Sequence, residues 1–190
     1  MRTLGFTLAM AGGFALAGWC CAAPAAAADF TLSSSAFKDG GWLQQKNAGA
    51  DKDRNPNCVG ENVSPPLAWS NVPTDAKSLA LIMVDPEGRG GLGVIHWVAY
   101  GIPVSVTGFA ESEVSKPSPK YVGGLGTNKK GTYLGPCTPA GAPHHYTFTL
   151  IATTLDPKEL PPGLTRDQFF EKLQGKSKGA TGLIALWQKK

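Results

Sequence analysis

Hydrophobic positions along this chain gather in short runs between turn-forming residues, with little of the 3.6-residue period of a helix. Ser78-Leu79-Ala80-Leu81-Ile82-Met83-Val84 is a continuous apolar run of strand length, the pattern of a strand covered on both faces. Val94-Ile95-His96-Trp97-Val98-Ala99-Tyr100 is a second such run. His144 to Thr154 is a third, rich in β-branched and aromatic residues. Asp29 to Phe37 reads as a first strand, whereas residues 38–62 and 108–132 are polar or glycine-rich, aperiodic, and read as loops. One helix is signalled, from about Arg166 to Gln174. Pro161-Pro162-Gly163 breaks the chain, Thr165 and Gln168 form a capping box, Leu164 and Phe169 a hydrophobic staple, and Gly175 is the stop. Phe169, Phe170 and Leu173 supply its apolar face. Leu183 to Trp187 reads as a short terminal strand or a turn of helix. Strands recurring between turn signals predict a mostly β domain with few helices.

The N-terminal pattern differs. Residues 1–28 carry Arg2 as their only charge, an apolar run from Leu4 to Trp19, and Ala26-Ala27-Ala28 at the end. This is the layout of a cleavable secretory signal, which places the mature start at Asp29. A membrane anchor fits less well, because Gly12, Gly13 and Gly18 interrupt the run and a cleavage site follows it. A lipid-attachment signal would use Cys20 or Cys21, but Trp19 stands where such signals carry a small residue. The expected compartment is therefore periplasmic or extracellular, with no stable membrane insertion after signal removal. The whole chain has a net charge of +4 over 190 residues, and the mature part, without Arg2, about +3. That charge is too weak and too scattered for the basic stripe that nucleic acid requires. Cys58 and Cys137 remain after cleavage. An even pair in an exported chain predicts a disulfide, with two free thiols as the alternative.

Two motifs mislead. Gly88-Arg89-Gly90-Gly91-Leu92-Gly93 matches a dinucleotide-binding glycine pattern, which works only where a helix begins; here the strand-like run from Val94 follows. Gly175-Lys176-Ser177 resembles the end of a P-loop, but its earlier glycine would fall at Phe170.

The residues with chemistry to offer lie at three places. Asp85 ends the first apolar run, before Pro86. His96 lies within the second. His144 and Tyr146 open the third and share a face by strand parity, with His145 opposite. Imidazole and phenol are donors to an anion, and a carboxylate can fix the tautomer of one imidazole. Gly135, in Gly135-Pro136-Cys137, offers an N–H that no Cβ obstructs.

Read together, Asn62-Val63-Ser64-Pro65-Pro66-Leu67-Ala68-Trp69, Val84-Asp85-Pro86-Glu87, His96-Trp97-Val98-Ala99-Tyr100-Gly101-Ile102-Pro103, Tyr133-Leu134-Gly135-Pro136-Cys137-Thr138-Pro139 and His144-His145-Tyr146 resemble the bacterial branch of the phosphatidylethanolamine-binding proteins, also called Raf kinase inhibitor-like. The resemblance runs from about Thr31 to Trp187. It implies one domain over 29–190, built of two antiparallel β-sheets with a few peripheral helices. It also implies a small pocket for phosphate-like and carboxylate-like anions. The positions carried over are Asp85, Pro86, His96, Gly135, His144 and Tyr146. Two departures stand out: residues 42–57 look longer than the usual connection, and Thr138 precedes Pro139 where the family has an earlier second proline. The expected function is binding of a small anionic ligand or phospholipid head group, without catalysis and without a cofactor. Two alternatives remain: a regulator of a protease or kinase, with a protease the partner suited to an exported chain, and a metal-dependent enzyme using Asp85, His96 and His144. No Gly-x-Ser-x-Gly nucleophile motif occurs.

Overall fold

The computed structural model describes residues 28–190, so the leader, Cys20 and Cys21 lie outside the described residues. In chain order the strands are β1 Thr31–Ser33, β2 Gly41–Trp42, β3 Leu67–Ser70, β4 Ser78–Asp85, β5 Val94–Pro103, β6 Gly108–Phe109, β7 Val122–Gly123, β8 His144–Thr153 and β9 Ser177–Trp187. They form a small sheet ordered β1-β3-β6 and a large one ordered β2-β9-β8-β4-β5-β7. Pairing is antiparallel except for the two-residue edge contact of β2 with β9.

β4 sits inside the large sheet, between β5 and β8. Alternation along it sends Leu79, Leu81 and Met83 into a core shared with Trp97, Phe148 and, from the small sheet, Leu32, Trp69 and Phe109. Ala80 and Ile82 face the other way, into a second core with Val98, Tyr100 and Ile151. The helix Arg166–Leu173 closes that second core through Phe169 and Leu173. A strand apolar at every position is thus covered on both faces, and the unbroken run is the sequence signature of that burial. The capping box forms as read, with Thr165 Oγ1 accepting from the Gln168 N–H.

Several elements differ from the sequence reading. β1 is three residues long, because its register with β3 ends at Ser33–Ala68 and Ser34 then bonds the Pro66 carbonyl. The expected loops contain β2, β6, β7 and two short 3-10 turns. Strands of two residues carry no periodicity to detect. Leu183–Trp187 is the end of an eleven-residue strand whose earlier half, Ser177-Lys178-Gly179-Ala180-Thr181-Gly182, is too polar and too glycine-rich to announce itself. Phe170 is 41% exposed. It lies under the Arg166 guanidinium, 5.8 Å from the ring centre, and outside the apolar face.

One irregularity positions chemistry. Met83 pairs with Trp97 but Val84 pairs with Ile95, so β5 carries one extra residue, His96. A bulge of this kind re-aims a side chain that alternation would send to the opposite face. His96 therefore shares the inter-sheet side with its neighbour Trp97 and packs edge-to-face on Tyr146, ring centres 5.1 Å apart.

Candidate functional site

Asp85 ends β4 and His144 begins the neighbouring β8, so antiparallel pairing brings both to one end of the large sheet. Asp85 is 2% exposed. Its Oδ1 accepts from the Gly88 N–H at 2.9 Å and its Oδ2 from His144 Nδ1 at 2.8 Å. Both carboxylate oxygens thus have donors, which is the condition for a buried charge. The bond to Asp85 places the proton on His144 Nδ1 and leaves Nε2 as the second functional nitrogen. The turn following Asp85 is as tight as it is because residue 88 is glycine; a Cβ there would meet Val94 Cγ2 at 2.6 Å.

His96, 3% exposed, donates Nδ1–H to the Leu134 carbonyl at 2.8 Å. Burial holds its pKa below the ordinary histidine value, against the opposing pull of that carbonyl and of Asp85. It is therefore neutral at neutral pH, with Nε2 an acceptor. Tyr146 is fully buried, and its phenol is pushed upward by burial and then by the Asp85 charge, so it remains a donor. Its Oη and the Oγ1 of Thr138 are closed off from solvent and lie beside each other and beside the Asp85 carboxylate.

These side chains open on a cavity of about 390 Å³ lined by, among others, Asp85, His96, Thr138, His144 and Tyr146. The Cys58–Cys137 disulfide is formed, Cα atoms 4.4 Å apart, and both cysteines belong to the cavity wall. The bridge brings the segment carrying Asp51, Arg54, Asn55 and Asn57 over the site. The long 42–57 connection is thus part of the pocket, and Thr138, the departure from the usual loop, lines it too.

Two expected site residues stand elsewhere. Pro86 is exposed and outside the cavity lining. Gly135 donates its N–H to Asn62 Oδ1 at 2.8 Å, so that donor is already used. Residue 135 must be glycine for packing, since a Cβ would collide with the Asn47 carbonyl oxygen. His145 faces away as parity requires, half-exposed and held by Glu87 at 2.8 Å. Sequence reasoning missed Arg54, Arg89, Lys130 and Thr138, which lie in stretches without periodicity; only folding shows that they meet. For a metal, Asp85, Glu87 and His144 place one ligand atom each within 4.8 Å of one another. The Asp85 oxygens are occupied by Gly88 and His144, and both Glu87 oxygens by His145. An ion there would have to displace those bonds.

Fold and site together define a two-sheet β protein with a cavity at one end of the larger sheet. The chain belongs to the phosphatidylethanolamine-binding protein family, whose model matches residues 33–188. It is 40% identical over 162 residues to a UPF0098 protein of Methanothermobacter thermautotrophicus, covering 83% of this chain and 98% of that one. It is 34% identical over 170 residues to a Mycobacterium tuberculosis protein named as a candidate lipoprotein, LppC, covering 87% of this chain and 76% of that one. Among solved structures it is similar to Escherichia coli YbcL, described as a member of the mammalian PEBP family. There the TM-score is 0.76 and the identity 26%, over 86% of this chain and all of the other. Among the described residues no helix is long and apolar enough to cross a membrane.

Proposed function

We propose that this protein is an exported binding protein whose cavity takes a phosphate-type or carboxylate-type group, and that it works by binding and not by catalysis. The observation that carries this reading is the convergence of the hydrogen-bonded Asp85–His144 pair, the buried His96 and the Tyr146 phenol on one cavity wall. A ligand oxygen at that wall would meet the ring nitrogens of His96 and His144, which donate once protonated. An anionic oxygen makes the stronger bond. Among the described residues no serine lines the cavity, and its two cysteines are bridged. Family membership supports a ligand-binding role.

Calorimetric titration with inorganic phosphate tests the site. His96→Ala and His144→Ala should each weaken binding by about 1.5–3 kcal/mol, the value of a hydrogen bond to a charged group. His145→Ala, half-exposed and turned toward Glu87, should change it little. The pH dependence follows from His96. Burial lowers its pKa in the free protein, and a bound anion raises it again, so binding takes up a proton. Affinity should therefore rise as pH falls below about 6.5, until the ligand itself is neutralised. Equal losses at His144 and His145, or binding unchanged in His96→Ala, would falsify the assignment.

Export rests on the leader pattern and is in keeping with the lipoprotein-named relative. Intact mass of the protein from the native host should give a mature chain starting at or near Asp29 without lipid; retention of Met1, or acylation at Cys20 or Cys21, contradicts it.

A further inference from the structure

The charged residues of the cavity wall do not balance. Asp85 is occupied by His144 and Gly88, and Arg54 has Asp51 beside it at 3.6 Å. Arg89 and Lys130 also line the cavity, and neither has an acidic partner among the described residues. Glu87, the acid nearest in sequence to Arg89, is held by His145.

Both cations are placed by the fold. Arg89 stands in the turn between β4 and β5, anchored to the site floor through the bond from Gly88 to Asp85. The turn carrying Lys130 is joined to the start of β5 by Thr127 N–H to the Ile95 carbonyl at 2.8 Å and Ile95 N–H to Thr127 Oγ1 at 2.9 Å. The two turns therefore flank the same strand end. Arg89 adopts φ 56° and ψ 37°, a left-handed conformation unfavourable for a residue with a Cβ. Its neighbours Gly88, Gly90 and Gly91 are glycines, and glycine would relax the backbone at position 89 as well. A strained arginine in a glycine-rich turn, at the wall of a cavity, is the kind of outlier that accompanies ligand contact.

Building on the reading of the cavity as an anion site, we propose that its ligand carries two anionic groups: a phosphate or carboxylate beside the Asp85–His144 pair and His96, and a second anion taken by Arg89 and Lys130 on the wall of the same cavity. A zwitterionic head group, with its ammonium beside these two cations, is disfavoured.

Calorimetry at low ionic strength with inorganic phosphate, 3-phosphoglycerate and phosphoethanolamine tests this. The expected order is 3-phosphoglycerate tighter than phosphate by about tenfold, the value of one charge-assisted hydrogen bond, with phosphoethanolamine no tighter than phosphate. In the Arg89→Gly, Lys130→Gln double variant the ratio of 3-phosphoglycerate to phosphate affinity should fall to about one, whatever the change in phosphate affinity itself. Thermal unfolding should show the variant at least as stable as the parent, because the Arg89→Gly change relieves the backbone. Phosphoethanolamine binding as tightly as 3-phosphoglycerate, or an advantage that survives the double variant, overturns the proposal while leaving the anion site standing. A protein that binds none of the three overturns both.

Discussion

Replacing Cys58 and Cys137 together by alanine is expected to lower stability by about 4–5 kcal/mol on the chain-entropy account of a cross-link. The two cysteines are 79 residues apart in sequence, so the bridge closes a long loop of the unfolded chain. The effect should extend beyond stability. The bridge holds the 51–58 segment against the 134–139 loop, and the two supply much of the cavity wall. Once the bridge is gone, Asn55 Nδ2 to Cys137 O at 3.5 Å remains as a direct bond between these segments, with Gly49 N–H to Pro136 O at 2.8 Å just before the first of them. Phosphate affinity should therefore fall together with the unfolding midpoint. Denaturant titration of the parent with and without reductant, alongside the double variant, measures the first effect. An unchanged midpoint, or two reactive thiols per denatured, unreduced chain, would refute the bridge's role.

Asp85→Ala should cost about 3 kcal/mol, because two buried donors, Gly88 N–H and His144 Nδ1–H, lose their acceptor at once. The same change frees the His144 ring to turn, and phosphate binding should weaken by at least about tenfold, the value of one hydrogen bond to a charged group. Asp85→Asn separates the two contacts. Its amide oxygen still accepts from Gly88, while its NH2 faces a nitrogen that must now be an acceptor, which moves the His144 proton to Nε2. The loss of stability should then be nearer 1 kcal/mol, about that of a weakened single hydrogen bond. Equal destabilisation by Ala and Asn would mean that Asp85 does not act as the shared acceptor.

What could be read from residue order alone was whatever leaves a local periodic trace. The runs at 78–84, 94–100 and 144–154 announced the three central strands, because strands covered on both faces must be apolar throughout or nearly so. Thr165 and Gln168 announced the helix start, because capping is chemistry within one turn. Alternation separated His144 and Tyr146 from His145. The motif set carried the family and with it Asp85 and His96 as site residues. Tertiary structure decided the rest, since it depends on partners far along the chain. A one-residue register shift between β4 and β5 turns His96 onto the side that parity denies it. The Gly135 N–H is taken by an asparagine 73 positions away, and Pro86 lies outside the wall. Arg54, Arg89, Lys130 and Thr138 sit in aperiodic stretches, where no residue's orientation is set by its neighbours in sequence. A disulfide and two turns bring them to one cavity, and only there does the charge of the three cations have a direction.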